Sequence, residues 1–199
     1  MIYITIGIFG FLAAFFFDMV SLRSIPRAKP VIWIIAVALI VFAHLMVCVK
    51  SERLEFPIWL SGIGWALLPV FIFLFLYSLF VNLPFRQTYV ASGIGNELIR
   101  TGTYALVRHP GVLWYAFFLI SLILVSESKL LLIASPIWLV MDTLHVIIQD
   151  KFLFSKMFED YDDYRQETPM LIPNMRSMGH CLRTITKSGT RCKVQEGSG

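Results

Sequence analysis

Four stretches of this chain contain no Asp, Glu, Lys or Arg: residues 1–17, 30–49, 56–85 and 109–126. Each is near or above the roughly 18 residues that mark a candidate bilayer span. A soluble domain would interrupt such runs every few residues to make one face polar. Composition agrees, because 57% of the 199 residues are hydrophobic and only 15% are charged, against about 25% in soluble proteins. The chain reads as an all-α, polytopic integral membrane protein.

Five transmembrane helices are expected, at about 2–22, 31–49, 57–83, 111–126 and 129–150. The fourth is short for a full span. Pro69 and Pro136 fall inside helices, where a membrane protein tolerates them. The first span has no basic residue before it, and Arg23, Arg27 and Lys29 come after it, so it reads as a helix that is kept rather than as a signal peptide. Lys and Arg cluster on one side: Arg23, Arg27 and Lys29, then Arg86, Arg100 and Arg108, then Lys151, Lys156 and Arg165. Only Lys50, Arg53 and Lys129 fall on the other. The positive-inside rule then puts the N-terminus outside and the C-terminus in the cytosol, in a bacterial inner membrane or the endoplasmic reticulum. The net charge of +4 is thus mostly topology, with anionic lipid as a secondary partner and nucleic acid excluded. No internal repeat suggests a transporter. Cys48, Cys181 and Cys192 match no zinc spacing and read as free thiols, so no metal is expected.

The membrane domain runs to residue 173. Its last part, 151–173, is expected to be a cytosolic amphipathic segment, with Phe154, Met157, Phe158 and Tyr161 at helical spacing. Residues 174–199 are basic and poor in large apolar side chains, and are expected to be disordered.

A polar residue inside a span is costly and asks for a reason. Asp142, His145 and Gln149 in the fifth helix are spaced to share one face, and Asp150 follows them. They would line a cavity or form a hydrogen-bond network. A lone His44 in the second helix reads as hydrogen-bonded within the bundle. Asp18, near the end of the first helix, is within reach of the interface. Ser61-Gly62-Ile63-Gly64 follows no strand, so it reads as close helix packing rather than nucleotide binding.

The richest polar segment is 92–110, SGIGNELIRTGTYALVRHP. Gly93, Gly95 and Gly102 let the backbone turn, and Asn96, Glu97, Tyr104, Arg108 and His109 supply polar groups. Pro110 suits the first turn of a helix, whose free amides attract an anionic group. Arg108 and Tyr104 would equally serve as interfacial anchors.

The run Gly102-x-Tyr104-x-x-Val107-Arg108-His109-Pro110 resembles the G-x-Y-x-x-x-R-H-P-x-Y signature of the isoprenylcysteine carboxyl methyltransferase and phospholipid N-methyltransferase superfamily. A second block is similar to that family's E-E-x-x-L and following motifs: Gln149-Asp150-x-x-Leu153, Met157-Phe158, Tyr161-x-x-Tyr164 and Pro169-x-x-Ile172-Pro173. The likeness covers about residues 84–173. It implies a methyltransferase using S-adenosylmethionine, whose cytosolic pocket is roofed by the C-terminal segment and opens to lipid. The implied cofactor contacts are Asn96, Glu97, Leu98, Ile99, Tyr104, His109, Pro110, Gly111, Val112 and Gln149, and the cofactor's own chemistry adds Arg108 and Asp150.

Those residue types suit that cofactor. Asp150 or the Gln149 carbonyl would accept from its ammonium, the helix start at Pro110 with Arg108 would hold its carboxylate, and Tyr104 would face its sulfonium. A neutral thiol or an amine acceptor would need a base, for which His109 and His145 are the candidates. The substrate would be a lipophilic small molecule or lipid-linked group. The chain leaves the pattern at four places: Val112 stands for Tyr, Trp114 for a small residue, His145 for Arg and Gln149 for Glu. These changes point to a different acceptor, and they frame the alternative of a non-catalytic lipid-binding or assembly protein.

Overall fold

The computed structural model of the protein describes residues 1–22, 28–83, 98–158 and 160–194. Arg23, Arg27, Arg86, Gly93, Gly95, Asn96 and Glu97 lie outside the described residues. The described residues are all-α: α1 Ile2–Leu22, α2 Ala28–Val49, α3 Ile58–Leu76, α4 Thr103–Leu106, α5 Pro110–Ser126, α6 Lys129–Ile148, α7 Phe154–Met157, α8 Tyr161–Glu167 and α9 Met175–Val194. α3 and α6 run on into π-helical turns, Tyr77–Val81 and Gln149–Leu153. Four helical stretches among them are long and apolar enough to cross a membrane: Ile2–Ser21, Ala28–Val49, Ile58–Val81 and Lys129–Leu153. The apolar α5 is shorter, at 17 residues. The protein is therefore a multi-pass membrane protein.

α2 begins at Ala28, three residues before the expected start at 31. Its buried Lys29 places the ammonium 5.7 Å from the centre of the Phe17 ring of α1, so the cation does not end the helix. The expectation of disorder for 174–199 needs correction, since Met175–Val194 is a helix. Asn174 Oδ1 caps it by accepting from the Ser177 amide at 2.8 Å. Ser177 and Cys181 are buried, and Thr184 Oγ1 accepts from the Gly102 amide at the edge of α4. Composition missed this docking face because it is built from small residues.

The core joins four helices: Ile4 and Phe11 of α1, Ala43 and Val47 of α2, Tyr115 and Leu119 of α5, and Leu131, Ala134 and Trp138 of α6. His44 sits among them with both nitrogens used, Nδ1 bonded to the Ile40 carbonyl at 2.8 Å and Nε2 to the Tyr115 hydroxyl at 3.0 Å. The Trp138 ring lies 4.4 Å away. The histidine is held within the bundle, as expected. Outward faces are apolar, with Ile34, Trp59, Trp65, Phe73 and Val140 exposed where lipid would lie.

One end of the bundle is stitched shut. The Leu54 amide donates to the Glu127 carbonyl at 2.6 Å, and the Lys129 amide to the Glu52 carbonyl at 3.1 Å. Ser128 caps α6 through the Leu131 amide and donates its own hydroxyl to the Val47 carbonyl at 2.7 Å. Polar chemistry collects at the other end.

The small-residue reading of 61–64 holds at one glycine of the two. A Cβ on Gly64 would stand 2.7 Å from the Leu124 Cβ of α5, whereas one on Gly62 would meet nothing within 4 Å. Gly64→Ala should destabilise the detergent-solubilised protein by about 1–3 kcal/mol through overpacking. Gly62→Ala should be neutral or gain up to about 1 kcal/mol from helix propensity. Thermal unfolding of the two variants side by side checks the contrast.

Candidate functional site

The site is built where α5 begins. Gly102 enters it with φ 63° and ψ −133°, a conformation open to glycine. Val107 is extended, and the next two amides bond across to the irregular segment after α8: Arg108 to the Pro169 carbonyl at 2.9 Å and His109 to the Met170 carbonyl at 3.2 Å. His109 is the N-cap of α5 but gives no side-chain cap, and Pro110 fills the first helical position. Among the described residues, no side chain accepts from the first amides of α5.

Asp150, on the π turn after α6, is the centre of this end. It is 3% exposed. Arg108 grips it with two donors, Nε to Oδ1 at 2.8 Å and Nη2 to Oδ2 at 3.1 Å. The Tyr161 hydroxyl donates to Oδ1 at 2.6 Å, and His109 Nε2 stands 3.4 Å from the same oxygen. Arg165 Nε lies 3.7 Å from Oδ2. Arg108 Nη1 donates to the carbonyls of Arg165 and Thr168, each at 2.9 Å. A buried charge is tolerated only when paired and hydrogen-bonded, and both members of this pair are. Tyr164 adds a further tie, donating to the Tyr104 carbonyl at 2.6 Å.

The titrating groups respond accordingly. Burial holds His109 below its ordinary value, against the opposing pull of Asp150. Burial first, and the Asp150 carboxylate second, push the Tyr161 phenol far above its usual range; burial raises Tyr164 likewise. His109 is therefore neutral at neutral pH. With Nε2–H turned to Asp150, its Nδ1 is left as a proton acceptor. The Phe154 ring stacks on it, centroids 5.7 Å apart and planes 14° from parallel.

A second cluster lies between α1 and α6. His145 Nε2 is 2.5 Å from Asp18 Oδ2, and Gln149 Nε2 donates to the same oxygen at 2.7 Å. Asp142 lies within electrostatic reach of both His145 and the Tyr115 hydroxyl. The predicted polar stripe exists, and its hydrogen-bond partner is α1. Charge on His145 also reaches His109, so the two clusters are electrostatic neighbours.

The structure brings Tyr104, Arg108, His109 and Asp150 together. Pro110, Gly111 and Val112 form the start of α5, with Pro110 and Val112 buried. Leu98 and Ile99 precede the cluster without regular structure. Gln149 faces the other cluster: adjacent helical residues point about 100° apart, so Gln149 and Asp150 serve different partners. Asp18 was underrated by the sequence, where a lone acid in an otherwise uncharged span was the available signal. Tyr161 carried no separate signal as a hydrogen-bond donor.

Among known families, the one described as Protein of unknown function (DUF1295) matches residues 22–168. No curated protein and no solved structure matches the chain.

Proposed function

We propose that this chain, which belongs to the DUF1295 family, is a membrane-embedded methyltransferase that uses S-adenosylmethionine and a lipophilic acceptor. One observation carries the reading. The two sequence blocks that resemble halves of one cofactor site lie far apart in the chain, yet Arg108 grips Asp150 at 2.8 Å. The orientation that suits this reading has the N-terminus outside and this end of the bundle in the cytosol.

The residues fit the cofactor at some positions and are occupied at others. The uncapped amides of α5 suit its carboxylate. The Phe154 ring, stacked on His109, offers an aromatic face to its adenine or sulfonium. Arg108 and Asp150 are spent on each other and on backbone carbonyls, so their part is to hold the two blocks in register. When bound, the cofactor supplies an activated methyl group. The chain aligns the acceptor, excludes water and, for an acceptor that must lose a proton, takes that proton at His109 Nδ1. His145, oriented by Asp18, is the second candidate base.

Isothermal titration of the purified protein with S-adenosylhomocysteine tests the reading, and no heat at millimolar ligand would end it. A pH profile follows from the same geometry. Because burial lowers the His109 pKa, it protonates only below the ordinary value of about 6.5. Methyl transfer should then hold level from neutral pH down to that point and fall on further acidification. His109→Gln should slow transfer about 10²–10⁴-fold, the range of a lost acid–base group. The saturation of Arg108 and Asp150 also favours a second reading, a non-catalytic lipid-binding protein in which the pair is a structural latch. That reading predicts no binding of S-adenosylhomocysteine.

A further inference from the structure

α9 carries three stripes that differ in chemistry. Ser177, Cys181 and Thr184 face the protein. Met175, Met178 and Leu182 are 85%, 47% and 69% exposed. Arg176, His180 and Arg183, at i, i+4 and i+7, make the third and line an open cleft of about 380 Å³ together with Glu167, Met175, Ser177 and Gly179. The sequence holds no acid between Thr168 and Val194, and its basic spacing continues through Lys187 and Arg191.

An exposed methionine and leucine row beside a cation row is an unusual arrangement for a soluble surface. A membrane surface calls for both, apolar side chains in the acyl boundary and cations at the phosphates. The helix is also placed for it. The bonds from Arg108 to the Pro169 carbonyl and from His109 to the Met170 carbonyl pin the segment before α9 to the first turn of the apolar α5. The exposed Ile172 lies in that same segment. From these observations we infer that α9 is an interfacial helix whose Arg176–His180–Arg183 row binds the phosphate of an anionic phospholipid, with the Met175–Met178–Leu182 row in the acyl region. The inference requires no methyl transfer.

The full-length protein in detergent, titrated with phosphatidylglycerol or phosphatidylcholine and read by native mass spectrometry, tests it. Wild type should retain phosphatidylglycerol in preference. Arg176→Gln with Arg183→Gln should weaken that binding about fivefold for each cation removed, roughly 25-fold together. Lys50→Gln with Arg53→Gln removes the same charge at the stitched end of the bundle and should leave binding unchanged. Met178→Ser with Leu182→Ser should also weaken phosphatidylglycerol, because the lipid tail loses its apolar contact. Inorganic phosphate at equal concentration should not compete. Equal binding by the Arg176/Arg183 variant, an equal loss in the Lys50/Arg53 variant, or full competition by phosphate would each overturn it.

Discussion

Asp150→Ala should cost about 3–5 kcal/mol, because it strands the Arg108 guanidinium in a buried site without its counter-charge. The alanine also leaves the Tyr161 hydroxyl without the acceptor it now reaches at 2.6 Å. The effect should spread, since Arg108 also holds the carbonyls of Arg165 and Thr168. The whole 161–170 segment should loosen from the start of α5. Thermal unfolding in detergent measures the stability loss, and amide exchange over 161–170 measures the loosening. Replacing both members by neutral residues of similar shape, Arg108→Met with Asp150→Leu, should cost far less than the single alanine, since no lone charge remains buried. A double variant as unstable as Asp150→Ala would show that packing, not charge, sets the loss.

The second large effect lies in the membrane core. A Cβ on Gly7 would stand 2.4 Å from the Cε2 and Nε1 atoms of Trp138. Trp138 is fully buried, and its indole N–H donates to the Ile4 carbonyl at 3.2 Å, so the ring has nowhere to retreat. Gly7→Ala should destabilise by about 1–3 kcal/mol, towards the upper end. Trp138→Leu removes the ring atoms in conflict at a cost of its own. On that background, Gly7→Ala should cost measurably less, a coupling that a double-mutant cycle of unfolding free energies reads directly. Additive losses would exclude the contact as the cause.

Which parts of this architecture were legible from residues alone follows from the range of the forces involved. An apolar run of span length has one stable solution in lipid, so the five helices emerged close to their places. The stripe Asp142, His145 and Gln149 was legible for the same reason, because helical spacing fixes which side chains share a face. Its partner was not. Asp18 is more than a hundred residues away in sequence, and only the packing of α1 on α6 brings it within 2.5 Å of His145. Gln149 and Asp150 looked like one motif, yet the helix turn between them sends one to Asp18 and the other to Arg108.

By itself, the sequence determined that the chain is helical, crosses a membrane several times and gathers its polar residues at 96–110 and 142–165, because local periodicity and the cost of charge in lipid act residue by residue. Only the tertiary structure decided what those residues do to each other. Arg108 and Asp150 neutralise one another instead of standing open, and His109 is held neutral by burial. α9 docks at the edge of α4 through small side chains and the Gly102–Thr184 bond. Pairing and burial depend on contacts between distant segments, and no window of sequence contains both partners.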